Sequence, residues 1–464
     1  MLTMNSQKFS FTEINFLLKL AIPLIITGLI ESSVGFFSTY FLAHLGAKEL
    51  AAGAVVSWIF FTLMVILWGT LCSVSILIAQ KKGARDDKSI SFILRDSLFL
   101  AVLFVIPATL LLLNIEPLLI LARQDPSTII LAQAYMRGLI WAFLPDFVGI
   151  VLIQFLIGLG HIRTNMVFSL LWVPLNIFTN YGLIFGKFGF PALGIAGVGW
   201  GTTLAYWIST TLLILYLVFN KKYSHYFTGF FQIRPLRYFS ELLHLGIPMG
   251  FMYCIEIAFF LMLTLIMGHL SADMLAANQI ALQYLGQLSV VTFSIAQAVT
   301  VRMAHTLGAR SIDLANRTAY IGVSLGFLFM VFVALCYWFI PYKLIGIDLN
   351  IHDIKNKEII YYAESFLIIS GIFQILEAPR IILFGALRGL KDTRFTLLTS
   401  IISFWVIAFP IGYYLAVFLH WGGAGLWWGL VLGTLVGVVL LFMRFKVKIN
   451  HYYHVMNIKA VCGL

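Results

Sequence analysis

Residues 20–52, LAIPLIITGLIESSVGFFSTYFLAHLGAKELAA, and residues 245–277, LGIPMGFMYCIEIAFFLMLTLIMGHLSADMLAA, are two copies of one apolar segment. The copies are offset by 225 residues, so that Pro23 matches Pro248 and Glu31 matches Glu256. Each copy is long enough to cross the hydrocarbon core of a bilayer, about 30 Å, as a helix. The pair therefore predicts an internally duplicated chain in which each half has a membrane helix with a proline and a carboxylate.

The composition is that of an integral membrane protein. Of the 464 residues, 61% are hydrophobic and only 11% are charged, whereas about 25% of residues in soluble domains are charged. The mean hydropathy is +0.98. Apolar stretches between polar or Gly/Pro residues predict twelve spans, with limits near 15–43, 52–80, 92–114, 131–158, 164–186, 195–219, 242–269, 277–304, 318–341, 361–386, 396–419 and 424–444.

The repeat extends well beyond the first span of each half. Gly83-Ala84-Arg85 returns as Gly308-Ala309-Arg310, and Ala196-Gly197 returns as Ala424-Gly425. Six spans is an even number, so both halves have the same orientation in the membrane. We expect an all-α integral membrane protein with two pseudo-symmetric six-helix bundles around a central cleft. The expected domains are residues 1–220 and residues 241–464, joined by a cytoplasmic linker at 221–240.

The cations concentrate in alternate connections between spans, which is the positive-inside pattern. It predicts a multi-pass protein of the cell inner (plasma) membrane with both termini in the cytoplasm. The net charge of +11 is explained by these connections, and no nucleic-acid partner is expected. The residues concerned are Lys81, Lys82, Arg85 and Lys88; Lys221, Lys222, Arg234 and Arg237; Arg302, Arg310 and Arg317; Arg388, Lys391 and Arg394; and Arg444, Lys446 and Lys448.

No motif of a soluble enzyme is present. We find no phosphate-binding loop, no paired-histidine metal motif and no serine elbow. The four cysteines (Cys72, Cys254, Cys336 and Cys462) lack the paired spacing of metal sites or disulfide frameworks. We therefore expect neither an enzyme nor a cofactor.

Among the acids inside predicted spans, the candidates for a functional role are Glu31, Glu256 and Glu377. Placing such a charge at the centre of a bilayer costs at least about 2.5 kcal/mol, so it is normally paired, facing a cavity or protonated. Glu31 and Glu256 have no basic residue within two helical turns, and both are expected to be unpaired and to bind a proton or a cation. Glu377 has Arg380 one turn further on, so an internal salt bridge and ion coupling are both open interpretations.

Several uncharged polar residues lie inside the spans, two pairs of them on one helix face each. Asn176 and Asn180 are spaced i, i+4 and could present amide oxygens to a ligand or hydrogen-bond between helices. Gln279 and Gln283 have the same spacing on the eighth span, and Tyr253 lies one turn before Glu256, to which it could donate a hydrogen bond. We assign these side chains to a polar substrate cavity.

Five short segments, taken in their order and spacing, resemble the multidrug and toxin extrusion (MATE) family over nearly the whole chain, and most closely its NorM branch. Each segment alone is a weak signal. They are Leu20-Ala21-Ile22-Pro23, His44-Leu45-Gly46-Ala47, Asn180-Tyr181, Ala276-Ala277-Asn278-Gln279 and Lys391-Asp392-Thr393.

The resemblance implies roles for particular residues. The NorM branch has a glutamate on helix seven and an acid on helix ten, which match Glu256 and Glu377 and imply a coupling-ion pair, with Na⁺ as a possible ligand. The aspartate usual on helix one of the family is Ser38 here, which puts the usual proton site of the first half in doubt. Glu31 lies two turns earlier on about the same face and could supply the missing charge.

We therefore expect a monomeric antiporter that exports cationic or amphipathic organic compounds in exchange for Na⁺ or H⁺. Glu31, Asn176 and Asn180 would form a second polar site in the first half. One alternative is a flippase for lipid-linked oligosaccharide of the same superfamily, although Arg380 is the only clear intramembrane cation to meet a pyrophosphate. The other is a non-transporting receptor or scaffold, which would not explain a buried acid in both repeats.

Overall fold

A computed structural model describes residues 2–121, 124–227 and 235–461, and side chains within these ranges except at 2–11, 63, 118, 121 and 455–461. All regular elements in this described part are helical. Cys72, Cys254 and Cys336 form no disulfide within the described residues. Arg234, Cys462 and residues 228–234 of the predicted linker lie outside the described residues.

Twelve helices of the described part are long and apolar enough to cross a membrane, as the sequence predicted. We number them α1 to α12. Their bounds are Thr12–Leu45 (α1), Ala47–Gly83 (α2), Asp87–Leu113 (α3), Pro126–Gly158 (α4), Ile162–Phe185 (α5), Ile195–Phe219 (α6), Phe239–Leu270 (α7), Ala272–Gly308 (α8), Ile312–Phe339 (α9), Ile354–Gly389 (α10), Thr393–Phe418 (α11) and Gly423–His454 (α12). Short helices at Glu116–Leu121, Ser224–Phe227 and Pro341–Asp348 lie between them.

Helical geometry is what an apolar chain needs inside a bilayer, because each backbone N–H and C=O is then paired within its own segment. Two of the described spans, α4 and α11, have turns of another helix type in their interior. A 3₁₀ turn at Ile140–Ala142 interrupts α4, and α11 has π-helical turns at Ile401–Ala408 and Tyr414–Phe418. A 3₁₀ turn is tighter than an α-helical turn and a π-helical turn is wider. Both change the direction in which the following side chains point.

The chain forms two compact units, which we describe separately. The N unit contains Ile26–Gly250, and the C unit contains Met1–Ile25 together with Phe251–Leu464. These units differ from the predicted lobes at two places, since the first part of α1 belongs to the C unit and the first part of α7 belongs to the N unit. Both changes of unit fall two residues after the repeated prolines, Pro23 and Pro248.

A buried ion pair explains why the start of α1 packs in the C unit. Glu13, which is 4% exposed, accepts two hydrogen bonds of 2.7 Å from the guanidinium of Arg302 on α8. Thr318 on α9 donates a third, at 2.8 Å. The guanidinium also lies 3.9 Å from the ring centroid of Phe16. A planar, bidentate pair of this kind fixes the helix in orientation as well as in position.

The start of α7 is held in the N unit by a corresponding set of contacts. The backbone N–H of Tyr238 donates to Asp96 on α3 at 2.8 Å, and the Tyr238 hydroxyl donates to Ser89 at 2.9 Å. Asp96 is fully buried and also accepts from Arg95 at 2.9 Å. Because a buried charge is costly without its hydrogen-bond partners, Asp96 holds the start of α7 against α3.

The repeat is visible in the backbone at the ends of α2 and α8. Arg85 and Arg310 both have a left-handed conformation, with φ of 57° and 60°. The next residue in each case returns a hydrogen bond to the helix, from Asp86 N to Lys81 O at 3.0 Å and from Ser311 N to Thr306 O at 2.8 Å. This is the 6→1 bond of a Schellman turn. The repeated Gly-Ala-Arg motif is thus a repeated helix stop.

Candidate functional site

The C unit contains a buried cluster of two carboxylates and one guanidinium. Arg380 on α10 is fully buried. Its Nη1 donates to Glu256 Oε1 on α7 at 2.8 Å, and its Nε donates to Glu377 Oε2 at 2.7 Å. A third hydrogen bond joins Arg380 Nη2 to Glu377 Oε1. One arginine therefore bridges both predicted coupling acids.

Neighbouring helices hold this cluster in place. Ser400 on α11 donates to Glu256 Oε1 at 2.8 Å, and Trp405 on the same helix donates to the carbonyl of Ile255 at 3.2 Å. The rings of Phe384 and Phe404 each lie 4.7 Å from the guanidinium carbon. Arginine suits such a site because its planar group pairs bidentately and stacks on aromatic faces.

The charges of the cluster do not balance. Two ionised carboxylates and one guanidinium leave one negative charge, and both acids are shielded from solvent, with side-chain exposures of 11% for Glu256 and 12% for Glu377. Both described donors to Glu256 bind Oε1, so Oε2 is the oxygen open to a further ligand. The arrangement can accept one proton or one monovalent cation.

One expectation about Glu256 was wrong, since a basic residue does pair with it. The neighbours of Glu256 along α7 are apolar. Arg380, which forms the ion pair with it, lies on α10 and is 124 positions away in the chain. Arg380 also pairs with Glu377 at i, i+3, which is the salt bridge that the spacing predicted. The salt bridge and a role in ion coupling are therefore compatible, because the cluster keeps one uncompensated charge.

Tyr253 is buried, and Arg380 and Ser400 are donors that bind Glu256. The ring of Tyr253 instead lies 5.0 Å from the guanidinium of Arg388. Arg388 is 4% exposed, so α10 carries a second buried arginine that the sequence analysis did not assign to the membrane interior.

The predicted residues of the first half lie in the N unit. Glu31 is exposed on α1, and its Oε1 accepts a hydrogen bond of 2.7 Å from Ser169 on α5. Ser38 is half-buried two turns further along α1. Asn176 and Asn180 are buried, and Asn180 donates to the Asn176 side-chain oxygen at 3.0 Å. The described hydrogen bond of Glu31 is thus with Ser169 and not with either asparagine.

The asparagine pair lies at a close contact between α5 and α6. Thr202 on α6 donates to the side-chain oxygen of Asn180 at 3.4 Å. A Cβ atom on Gly201 would lie 2.8 Å from the Asn180 backbone, so a larger residue would separate the helices. These contacts favour the interhelical interpretation for Asn180, while one amide donor of Asn176 has no partner.

The glutamine pair on α8 is exposed on the C unit. Gln283 donates to Asp348 at 3.3 Å, which places it beside the connection between α9 and α10. Gln279 is exposed one turn earlier. Within the described residues, no group of three or more acidic, histidine or cysteine side chains is arranged to hold a metal ion.

The sequence analysis missed Asp146. This residue lies on α4, is 6% exposed, and interacts electrostatically with Glu31. The signal was present in the repeat, because α4 is the counterpart of α10 and Asp146 precedes Gly160 much as Glu377 precedes Gly389.

A family model described as MatE matches residues 23–182 and 248–414, which include most of both repeats. The multidrug resistance protein NorM of Burkholderia vietnamiensis is 34% identical over 432 residues, covering 93% of this chain and 93% of that protein. The probable multidrug resistance protein NorM of Pseudomonas aeruginosa is 32% identical over 443 residues, covering 95% and 90%.

Solved structures of the same fold are also similar. The eukaryotic MATE transporter AtDTX14 has a TM-score of 0.82 at 22% identity, covering 96% of this chain and 98% of that one. An outward-facing multidrug resistance MATE family transporter of the MOP superfamily has a TM-score of 0.86 at 18% identity, covering 95% and 97%. A likeness at this identity establishes the fold alone.

The family model and the relatives identify this duplicated twelve-helix protein as a polytopic membrane transporter, and not an enzyme. The chain belongs to the MatE family, whose model matches both of its repeats.

Proposed function

We propose that the protein is a multidrug efflux antiporter that exports cationic or amphipathic organic compounds in exchange for Na⁺ or H⁺. The proposal is carried by one observation, the buried Glu256–Arg380–Glu377 cluster, in which a single guanidinium binds two carboxyl groups. The relatives named as multidrug resistance proteins support the substrate class.

The cluster suits a coupling role because it changes charge by one unit when it is loaded. Empty, it carries a buried negative charge, which is costly away from water. Loaded with H⁺ or Na⁺ at the open Oε2 of Glu256, it is neutral. Antiport then requires that the ion and the substrate favour opposite conformations, because a ligand with equal affinity for both states shifts neither.

Two other functions are less favoured. A flippase for a pyrophosphate-linked lipid needs free cations, but Arg380 already binds two carboxylates. Arg388 is buried and stacked on Tyr253. A receptor or scaffold without transport would have no use for a buried charge that needs an ion to balance it.

The setting of this function is the cell inner membrane, with both termini in the cytoplasm and the protein acting as a monomer. The support for this orientation is the distribution of Lys and Arg along the sequence. Cysteine labelling at Asn220→Cys, between α6 and α7, with a membrane-impermeant maleimide in intact cells tests it. Labelling from outside would contradict the orientation.

Efflux from proteoliposomes tests the proposed function. The purified protein is reconstituted with ethidium as a fluorescent lipophilic cation, and either a Na⁺ gradient or a pH gradient is imposed. We expect one of the two gradients to drive ethidium movement, and Glu256→Gln to abolish it. Glu358→Gln, an exposed acid at the start of α10, is the matched control and should transport normally.

Two outcomes would contradict the proposal. Gradient-driven ethidium transport by Glu256→Gln at the wild-type rate would exclude the cluster from coupling. Movement of a fluorescent pyrophosphate-linked lipid, without any movement of ethidium under either gradient, would favour the flippase.

A further inference from the structure

The last membrane helix, α12, continues beyond the length that a bilayer requires. It contains 32 residues, which at about 1.5 Å per residue span about 48 Å, whereas the hydrocarbon core is about 30 Å thick. Gly423 at the start of α12 matches Ile195 at the start of α6, at the repeat offset of 228 residues. Because α6 ends at Phe219, which matches Val447, residues 448–454 form an extension that α6 lacks.

Polar and charged contacts hold this extension against the C unit. Asp392, in the turn between α10 and α11, accepts a hydrogen bond of 2.7 Å from Nε of Arg444. The same carboxylate lies 3.5 Å from Nζ of Lys448. The hydroxyl of Tyr453 donates to Asp313, at the start of α9, at 2.7 Å. The extension therefore has one side fixed toward the C unit and the other side turned away from it.

The first repeat does not contain the residues of this anchor. Thr164 matches Thr393 at an offset of 229 residues, so that Arg163 lies where the second repeat has Asp392. Asn220, which follows α6, has an extended backbone with ψ of 117° and ends that helix. The extension of α12 is thus a separate feature of the C unit and not a consequence of the duplication.

The side of the extension that is turned away from the C unit, and the helical turn before it, form an exposed stripe. Successive residues of a helix are about 100° apart, so residues three, four and seven positions apart share a side. The stripe consists of Met443, Lys446, Val447, Asn450, His451 and His454. Met443 and Val447 are 60% and 61% exposed. Its apolar residues lie nearest the span, and its last three residues are polar.

Basic side chains line both edges of this stripe. Arg444 and Lys448 lie along one edge, where their side chains are 34% and 31% exposed. Lys446 is exposed along the other edge. Asp392 is a single carboxylate for two cations, so the first edge keeps an excess positive charge. Residues 393–464 contain no Asp or Glu, so α12 itself supplies no acid to balance these charges.

We propose that this stripe and its two basic edges bind the bilayer surface at which α12 ends, through phospholipids whose headgroups have a net negative charge. Met443 and Val447 enter the boundary between headgroups and acyl chains, as the apolar face of an interfacial helix does. Arg444, Lys446 and Lys448 meet the lipid phosphates, because their long stems can extend along apolar surface while the charge stays in the headgroup layer.

The geometry favours a lipid surface over a soluble partner. The extension continues the membrane helix without a break, so the stripe begins where the span leaves the bilayer. Met443 and Val447 are too few to form the apolar centre of a protein interface. The cations along the edges are instead complementary to a surface of uniform negative charge.

Native mass spectrometry of the purified full-length protein in detergent tests the proposal. Dioleoylphosphatidylglycerol and dioleoylphosphatidylcholine are added separately, and the dissociation constants of the first lipid bound are compared. We expect tighter binding of the anionic lipid, which Lys446→Gln together with Lys448→Gln should weaken by roughly 5-fold for each lysine. Lys355→Gln together with Lys357→Gln is the matched control, because these lysines are exposed at the start of α10 with the same spacing.

A second variant changes the affinity in the opposite direction and leaves the anchor intact. Asn450→Lys adds a cation to the exposed stripe and should tighten binding of the anionic lipid by roughly 5-fold. It carries the test should the double lysine variant fail to fold. Raising the salt concentration should weaken the binding of the anionic lipid, because exposed charges are screened.

Three results would overturn the proposal. The first is equal affinity of the wild type and the Lys446→Gln, Lys448→Gln variant for the anionic lipid, and the second is an equal loss of affinity in the α10 control. The third is displacement of the lipid by the same concentration of inorganic phosphate, which would assign the cations to a free anion. The measurement uses neither a gradient nor ethidium, so it is independent of the efflux test.

Discussion

Arg302 on α8 binds Glu13 at the start of α1 through two hydrogen bonds of 2.7 Å, although 289 positions separate them in the chain. Thr318 completes the site, and Phe16 covers one face of the guanidinium. This pair joins the start of α1 to α8 within the C unit. Its contribution to stability can be measured directly.

Replacing Glu13 by Gln should destabilise the protein by about 3–5 kcal/mol, because it leaves the partly buried Arg302 without its counter-charge. Arg302→Lys keeps the charge but loses the bidentate geometry and the stacking on Phe16, so we expect a smaller loss of about 1–2 kcal/mol. Thermal unfolding in detergent measures both. The exposed Arg317→Lys on α9 is the control, and an equal effect there would argue against a specific pair.

Replacing Arg380 alone should lower the stability of the protein more than replacing Arg380 together with one of its acidic partners. Arg380→Met leaves two buried carboxylates, which should cost about 3–5 kcal/mol. The double variant Arg380→Met with Glu377→Gln removes one of these charges and should recover much of that stability. A double-mutant cycle by thermal unfolding measures the coupling. Strict additivity of the two substitutions would contradict the bridge.

Asn180→Ala separates a structural role from a transport role in the N unit. It removes the hydrogen bonds to Asn176 and Thr202 and leaves buried polar groups unpaired, so the expected loss of stability is about 1–3 kcal/mol. We expect the rate of ethidium efflux per folded molecule to stay close to that of the wild type. A stable variant with abolished efflux would instead place Asn180 in the transport pathway.

Stability at acid pH should depend on Asp86, which lies outside the spans and caps the start of α3. The hydrogen bond with Ser89, and then the charge of Lys81, lower the pKa of Asp86 below its ordinary value of 3.8. A lowered folded-state pKa contributes stability that is present above the unfolded value and is lost as pH falls through the folded value.

Asp86→Asn should therefore destabilise the protein at neutral pH and flatten the stability profile below about pH 4. Thermal unfolding between neutral pH and pH 3 measures this effect. The exposed Asp353→Asn, in the connection before α10, is the control. Parallel acid profiles for the wild type and Asp86→Asn would rule out the expected linkage.

The sequence predicted the spans and the repeat because both depend on local composition and on self-similarity along the chain. It could not predict that Arg380 binds Glu256, since the partner comes from a different helix and the spacing within α7 contains no sign of it. Asp146 could have been found by comparing α4 with α10, where Glu377 lies two positions from exact register.

The assignment of helix ends to units was also out of reach of the sequence. A proline such as Pro23 or Pro248 bends a helix, but a bend does not identify the helices that pack on either side of it. That information lies in contacts such as those of Glu13 and Asp96, which join residues far apart in the chain.

The exchange of helix ends at the two prolines has a consequence for the integrity of the molecule. Each half of the polypeptide contributes the beginning of its first helix to the compact unit formed mainly by the other half. A single cut between Tyr223 and Tyr238 would therefore leave two fragments that remain interlocked. Co-expressed as separate chains, they should copurify and reassemble, as in an intramolecular form of domain swapping.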